Sequence, residues 1–250
     1  MRIENAKAVI TGAASGLGLA TATLFRESGA QVTILDRDPK GAEVASKIGA
    51  YFVETDVTSE ASVEAAIAYA SEKMGGITTA VNCAGIATGE KTLGKDGPHS
   101  LSGFQRTIDI NLIGTFNVSR LAAGEIAKND PEDDGARGVI INTASIAAFD
   151  GQKGQAAYAA SKAGIAGMAL PMARDMASLG IRVMAIAPGI FKTPMLEGLG
   201  EEIQNSLAAT VTCPKRLGDP REYARLAQFI VECGYMNGET IRIDGALRMQ

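Results

Sequence analysis

Short apolar runs alternate along the chain with longer segments in which apolar residues recur at helical spacing. This alternation is typical of βαβ units, whose parallel strands are buried on both faces and therefore form continuous apolar runs. Each run ends near a Gly, Asp, Asn or Pro, the residues that usually end a strand. The predicted strands cover residues 6–11, 31–35, 51–53, 78–81, 138–142, 181–187 and 240–243.

Five Ala-rich amphipathic segments between these runs predict helices that pack against a sheet. They cover residues 17–28, 59–74, 102–128, 155–178 and 221–233. Residues 86–100 lack either periodicity, and the acidic residues 129–137 are typical of a solvated surface loop. Because crossovers between parallel strands are right-handed, the pattern predicts an α/β fold with a seven-stranded, doubly wound parallel sheet and helices on both faces. No linker or repeat divides the chain, so we expect one domain over residues 1–250.

Composition and charge limit the classes of protein to which this chain can belong. The 250 residues are 46% hydrophobic and 21% charged, as expected of a globular protein with a substantial core. The net charge of -4 gives no overall basic field, so we expect no nucleic-acid partner. Apolar runs break before the roughly 18 residues of a membrane span, and the N-terminus lacks a signal-peptide pattern. We therefore expect a cytoplasmic protein with no membrane partner.

The cysteines and the single histidine exclude further classes of protein. Three widely spaced cysteines argue against a disulfide framework and favour a reducing compartment. One histidine excludes His-rich zinc sites, and we expect no bound metal. Acid–base chemistry must therefore depend on other residue types.

A glycine-rich turn follows the first predicted strand, with the sequence TGAASGLG at residues 11–18. Such a turn, opening a helix, can bind a dinucleotide pyrophosphate on backbone N–H groups, because glycine lacks the Cβ that would block the approach. A tight strand–helix connection would give the same pattern. Asp36 favours the dinucleotide, since an acid about 20 residues downstream accepts hydrogen bonds from the adenosine ribose and repels a 2′-phosphate. NAD is therefore the predicted cofactor, and Arg37 is the one feature that favours NADP.

Further candidate residues lie where later strands end. Asp56 and Val57 follow the third predicted strand, and NCAG at residues 82–85 follows the fourth. Ligands of open α/β sheets bind at these carboxyl ends. Ser145 follows the fifth strand, and the spacing of Tyr158 and Lys162 places both on one face of a helix. A plain surface pair would show the same spacing.

Taken together, these motifs resemble those of the short-chain dehydrogenase/reductase family, which has a T-G-x-x-x-G-x-G turn, an N-x-A-G segment and an Asn, Ser, Tyr, Lys tetrad. The resemblance covers essentially the whole chain and implies a Rossmann fold. It implies that the catalytic residues are Asn111, Ser145, Tyr158 and Lys162. The implied cofactor-binding residues are Gly12, Ser15, Gly16, Leu17, Gly18, Asp36, Asp56, Val57, Cys83, Ala84, Gly85, Tyr158, Lys162, Pro188, Gly189, Phe191 and Thr193. The implied substrate-binding residues are Ser145, Gln155 and Tyr158.

Within the family, residues 138–145, 154–158, 216–220 and 242–246 are similar to the branch that acts on 3-hydroxyacyl-CoA. This resemblance implies hydride transfer between NAD⁺ and a 3-hydroxyacyl-CoA, or its branched 2-methyl homologue, giving the 3-oxoacyl-CoA in fatty acid metabolism. It also implies a homotetramer and a small substrate lid at about 189–215, where Met195 and Leu196 would meet an acyl chain. Two alternatives remain: an NAD-dependent hydroxysteroid or other secondary-alcohol dehydrogenase, and a non-catalytic scaffold protein. The intact Ser145, Tyr158 and Lys162 favour an enzyme.

The chemistry assigns roles within the implied tetrad. A free tyrosine, with a pKa of about 10, is a poor base at neutral pH, and a nearby ammonium group lowers that pKa. We therefore predict that Lys162, reinforced by the positive charge of the nicotinamide, stabilises the phenolate of Tyr158 and lowers its pKa. Ser145 would hold the substrate oxygen. By resemblance to the family, Asn111 would hold a water that links Lys162 to solvent.

Overall fold

The computed structural model describes residues 1–197 and 200–249, and its described part forms one α/β domain around a parallel sheet. The strands of the main sheet are β1 (Lys7–Thr11), β2 (Gln31–Asp36), β3 (Tyr51–Glu54), β4 (Thr79–Asn82), β7 (Gly138–Thr143), β8 (Ile181–Pro188) and β9 (Thr240–Ile243). Their order across the sheet is β3-β2-β1-β4-β7-β8-β9, and every pairing is parallel. All the predicted strands are confirmed, with small differences at their ends.

The helices in the described residues are α1 (Gly16–Glu27), α2 (Gly41–Ile48), α3 (Glu60–Met74), α4 (Leu101–Ile108), α5 (Gly114–Ile126), α6 (Ala156–Asp175), α7 (Pro194–Glu197), α8 (Glu201–Thr210) and α9 (Pro220–Glu232). The predicted helix 102–128 is instead α4 and α5 joined by a π-helical turn, Asp109–Ile113. Helices α2, α7 and α8 were not predicted, because short segments show too few turns of periodicity.

The sheet separates two hydrophobic cores. Phe25 of α1 and Ile230 of α9 pack on one face, while Val63 of α3 and Val118 of α5 pack on the other. Successive side chains of a strand point to opposite faces, so Ile140 and Ile141 of β7 enter different cores. This two-sided burial confirms the doubly wound fold.

Local sequence signals fix several helix ends. Asp219 and Glu222 form a capping box at the start of α9. Pro220 lies in the first turn, where an N–H group would have no partner within the helix, so its lack of an N–H costs no helical hydrogen bond. Helix α3 begins at the cap of Ser59 and ends at Gly75, whose left-handed conformation suits glycine. These ends lie where the sequence pattern predicts them.

The segment 86–100, predicted to be irregular, contains a short antiparallel hairpin of β5 (Leu93–Gly94) and β6 (Gly97–Pro98). The acidic segment 129–137 is mostly exposed, as predicted. No helix in the described ranges has the length and apolar character needed to cross a membrane. The strand order reverses between β1 and β4, so ligands are expected in the crevice at the carboxyl ends of these strands.

Candidate active site

A cavity of about 1240 Å³ opens at the carboxyl ends of the strands. Its volume exceeds the roughly 300–1,000 Å³ of most small-molecule sites, so it has room for a large cofactor beside a substrate. Nearly all the predicted site residues line it. These are Gly12, Ser15, Gly16, Leu17, Gly18, Asp36, Asp56, Val57, Cys83, Ala84, Gly85, Ser145, Gln155, Tyr158, Lys162, Pro188, Gly189, Phe191 and Thr193. Asn111 does not line the cavity, and it lies fully buried behind it.

The glycine turn is closely packed on one side and open on the other. A Cβ at Gly12 would lie 2.7 Å from the amide nitrogen of Ala84, and one at Gly18 would lie 2.5 Å from the carbonyl oxygen of Gly12. Gly16 meets only the Thr193 side chain, at 3.6 Å. Ser15 begins α1 without a side-chain cap, so amides of the first turn remain available for an anion. The turn therefore fits a dinucleotide pyrophosphate.

Asp36 is held at the wall of the cavity by the backbone. One carboxylate oxygen accepts a hydrogen bond from the amide of Ala14 at 2.9 Å, and the other accepts one from the amide of Asp38 at 2.9 Å. Hydrogen bonds from the Thr58 hydroxyl and amide hold the pKa of Asp56 below its usual value. Two carboxylates therefore line this end of the cavity.

Ser145, Tyr158 and Lys162 converge at the other end. Ser145 hydrogen-bonds Tyr158, and its oxygen accepts the Ala147 amide at 3.1 Å. The Lys162 ammonium group donates to the carbonyl oxygen of Thr143 at 2.7 Å and lies 5.7 Å from the centre of the Tyr158 ring. The three side chains thus form one polar cluster on the cavity wall.

Burial dominates the titration of Tyr158 and Lys162. Burial raises the pKa of Tyr158, and the hydrogen bond from Ser145 opposes that rise only in part. Burial also lowers the pKa of Lys162 to about 8. Desolvation therefore dominates the pKa of Tyr158 in the protein alone, and the ammonium group of Lys162 is directed at a carbonyl. The predicted lowering of the Tyr158 pKa by Lys162 together with the positive charge of a bound nicotinamide stays a prediction.

Asn111 lies in the π-helical turn, and its side chain joins two elements of the site. Its Oδ1 accepts the Ile86 amide at 2.8 Å, while its Nδ2 donates to the Ile86 carbonyl at 2.9 Å and to Ser161 Oγ at 3.1 Å. Ser161 in turn donates to the Tyr158 carbonyl at 2.7 Å. Asn111 therefore ties the segment after β4 to the helix that carries Tyr158.

A buried polar group beside this cluster was not predicted. The Tyr223 hydroxyl lies 2.7 Å from Thr143 Oγ1, and the Cys83 sulfur lies 3.5 Å from Thr143 Oγ1 and 3.7 Å from the Tyr223 hydroxyl. Burial raises the pKa of the Cys83 thiol, which disfavours the thiolate, the nucleophilic form of cysteine. Tyr223 lies on α9, far along the chain from the other two residues, so no local pattern indicates this contact.

The cavity lining also includes residues that the sequence did not indicate as site residues. Among them are Leu207, Met249 and two residues of the turn after Ser145, Ile146 and Ala147. In the predicted lid, Leu196 lines the cavity, whereas residues 198–199 and the side chain of Met195 lie outside the described part of the structure. The amphipathic helix α8 could have indicated Leu207, but nothing local indicates Met249.

Comparison with known proteins identifies the family. The model of the short chain dehydrogenase family matches residues 6–204. The chain belongs to this family. It is 56% identical over 253 residues to the human 3-hydroxyacyl-CoA dehydrogenase type-2, covering 99% of this chain and 97% of the relative. The Drosophila melanogaster enzyme of the same name is 54% identical over 252 residues, covering 99% of both chains.

A crystal structure shows the same fold. The 3-hydroxyacyl-CoA dehydrogenase type-2 from Mycobacterium avium is 46% identical, with a TM-score of 0.95 over 99% of this chain and 98% of that one. The resemblance seen in the sequence is thus confirmed. This short-chain dehydrogenase is an oxidoreductase of a family that uses a nicotinamide dinucleotide, and the glycine turn and Asp36 provide a site that fits one.

Proposed function

We propose that this dehydrogenase interconverts a 3-hydroxyacyl-CoA, including its branched 2-methyl form, and the 3-oxoacyl-CoA with NAD as cofactor. The observation that carries the proposal is the convergence of Ser145, Tyr158 and Lys162 in the same cavity as the glycine turn and Asp36. Relatives of that name match the chain from end to end, which supports the choice of substrate.

The cofactor's two ends fit different parts of the cavity. The N-terminal turn of α1 would hold the pyrophosphate and Asp36 would accept hydrogen bonds from the ribose hydroxyls, while Gly189 and Thr193, which line the same cavity, would also contact the cofactor. When bound, the nicotinamide ring accepts a hydride from the alcohol carbon or returns one to the ketone. We further propose that the segment 189–215 is the lid over the substrate.

Residues of this chain bind the substrate oxygen and exchange a proton with it. Ser145 donates a hydrogen bond to that oxygen and holds it against Tyr158. Tyr158 gives its hydroxyl proton to the oxygen in reduction and takes that proton back in oxidation. Because its pKa is raised by burial, Tyr158 is protonated at neutral pH, which suits the reductive direction. In oxidation the positive charge of Lys162 stabilises the phenolate.

A panel of substrates tests the proposal. Purified protein is mixed with NADH and, in separate assays, with acetoacetyl-CoA, a ketosteroid or a simple ketone, and loss of NADH absorbance is followed. We expect the highest kcat/KM for the acyl-CoA. A higher value for the ketosteroid or the simple ketone would replace the acyl-CoA assignment with that substrate class, while leaving the dehydrogenase site in place. No oxidation with any of them would contradict the proposed function.

Removing the Asp36 carboxylate should weaken the preference for NAD over NADP. The Asp36→Ala variant loses the repulsion of a 2′-phosphate and the acceptor for the ribose hydroxyls, so we expect the ratio of kcat/KM for NADH and NADPH to fall by at least about tenfold, the equivalent of about 1.4 kcal/mol. Asp38→Ala is the matched control, since Asp38 is exposed and does not line the cavity. An unchanged ratio in Asp36→Ala would show that Asp36 does not select the cofactor.

We also propose that the protein is a cytoplasmic homotetramer without a nucleic-acid partner. Ile113 and Phe116 near the start of α5, Leu170 of α6 and Phe229 of α9 are exposed apolar side chains that subunit contacts would bury. The cysteines are free thiols, which fits a reducing compartment. Light scattering should give about four times the 25.9 kDa of one chain. A mass of one chain would refute the tetramer.

A further inference from the structure

The C-terminal tail returns to the cavity after β9. The chain reverses at Gly245 and Ala246, both in the left-handed region with φ of 59° and 62°. Leu247 is then buried at 3% exposure, and Met249 lines the cavity. A left-handed alanine is uncommon, so the bond from the Ala246 amide to Asp244 and the burial of Leu247 must hold this turn in place.

Arg242 joins the tail to a distant loop. Its guanidinium donates to Asp244 at 2.7 Å, to the Leu247 carbonyl at 3.0 Å and to Asp150 at 2.6 Å, and it lies 5.4 Å from the centre of the Phe149 ring. The side chains of Arg242 and Asp150 are only 23% and 19% exposed. The pair is therefore screened less than an ordinary surface ion pair.

The Asp150 loop belongs to the candidate active site. It connects the turn that begins at Ser145 to the start of α6, which carries Tyr158. The Asp150 amide donates to the Ile146 carbonyl at 2.9 Å, and Ala147 of the same turn lines the cavity. Arg242 thus fixes the tail relative to the loop that holds Ser145.

The other side of the tail contacts the end of the predicted lid. The Cys213 amide donates to the Gly245 carbonyl at 3.0 Å, and the Thr212 hydroxyl donates to the Ala246 carbonyl at 3.1 Å. A Cβ at Gly245 would lie 2.5 Å from Val211. Leu207, one helical turn before Val211, lines the same cavity as Met249. The tail and the end of the predicted lid are therefore hydrogen-bonded neighbours, and each contributes an apolar residue, Met249 and Leu207, to the lining of the cavity.

We propose that Met249 limits the length of the acyl chain that the site accepts, and that Arg242 is a positioning residue that sets Met249 by tying the tail to Asp150. The proposal rests on the proposed function for the acyl nature of the substrate. An unbranched, flexible methionine suits a wall against an alkyl chain, since it adapts to several chain shapes. Asp244 also packs behind Gly189 on the cofactor side, so it is left unchanged in the tests below.

A chain-length series tests the wall. Wild type, Met249→Ala and Met249→Trp are assayed with NADH and 3-oxoacyl-CoA substrates of increasing length, and NADH affinity is measured separately by fluorescence. We expect Met249→Trp to raise the KM of the longest substrates relative to the shortest by about tenfold, and Met249→Ala to shift the optimum to longer chains, both with unchanged NADH affinity. The same length profile in all three proteins would overturn the proposal.

A double-mutant cycle tests the positioning role. Asp150→Asn keeps the shape of the side chain but removes its charge, so we expect a higher KM with little change in kcat. Because Arg242 acts through Met249, the effects of Asp150→Asn and Met249→Trp on KM should not add. Arg248→Ala is the control, since Arg248 also bonds Asp244 but does not reach Asp150. Full additivity would overturn the role of Arg242.

The assays of the wild-type protein distinguish a failure of the proposed function from a failure of the role of Met249. If wild type reduces no acyl-CoA, the proposed function fails, and the same three proteins are compared on simple ketones of increasing alkyl length. If Met249 limits chain length, the three proteins should show the same order of length preference on these ketones. A common profile on those ketones would overturn the role of Met249 as well.

Discussion

The Tyr158→Phe variant is expected to lose nearly all dehydrogenase activity, with kcat/KM reduced by roughly 10²–10⁴-fold. The substitution removes one oxygen from a partly buried ring, so packing is kept while the group that exchanges a proton with the substrate is lost. Steady-state kinetics with acetoacetyl-CoA and NADH measures the loss, and NADH fluorescence shows whether the cofactor still binds.

Tyr235→Phe is the matched control for this prediction. Tyr235 is fully exposed and does not line the cavity, so the same loss of a hydroxyl should leave the kinetics unchanged. If Tyr158→Phe kept more than about a tenth of wild-type kcat/KM, Tyr158 would not be the proton donor, because a positioned general acid contributes more than that.

Replacing Lys162 with methionine should reduce activity by roughly 10²-fold or more, because the phenolate of Tyr158 loses its neighbouring positive charge. The substitution should also change how stability depends on pH. Burial lowers the pKa of Lys162 to about 8 from its ordinary value of about 10.5, so the folded protein releases this proton more readily than the unfolded chain. The contribution of Lys162 to the free energy of unfolding therefore rises with pH between these two values, and it does not change with pH below about 8.

Urea unfolding across this pH range measures the effect. The unfolding free energy of wild type relative to Lys162→Met should rise by an amount on the order of 3 kcal/mol as pH increases from about 8 to 10.5. Lys153→Met is the control, since Lys153 is exposed and should show no such rise. Parallel curves for wild type and Lys162→Met would contradict the burial of a charged lysine.

Most of the sheet could be predicted because its central strands are buried on both faces and so form continuous apolar runs, whereas the edge strands β3 and β9 are only partly buried. Helix α2 was missed because eight residues show little more than two turns of periodicity. The π-helical turn at Asp109–Ile113 was missed for another reason. It adds one residue per turn without changing the apolar character of the segment, so the pattern of 102–128 resembles that of an unbroken helix.

The residues of the candidate site also divide into those that a sequence pattern indicates and those that it does not. Asp36 and the glycine turn were found because a strand end and a spacing mark them, and Tyr158 and Lys162 because they share a helical face. Arg242 carries no such mark, since its ion pair is with Asp150, 92 positions away. Nothing near Met249 in the sequence indicates that it lines the cavity. The burial that raises the pKa of Tyr158 in the protein alone could not be predicted, because the exposure of a side chain is not visible in a sequence.

The most direct test of the central claim follows the hydride itself. NADH carrying deuterium at the reactive carbon of the nicotinamide is incubated with the protein and acetoacetyl-CoA, and the product is analysed by mass spectrometry. If the protein is the proposed 3-hydroxyacyl-CoA dehydrogenase, 3-hydroxybutyryl-CoA forms with deuterium on the carbon that bears the new hydroxyl group. The experiment is done with deuterium in each of the two hydrogen positions of that carbon in turn. Product that lacks deuterium with both labelled forms of NADH, or no product from a folded protein that binds NADH, would contradict the proposed function.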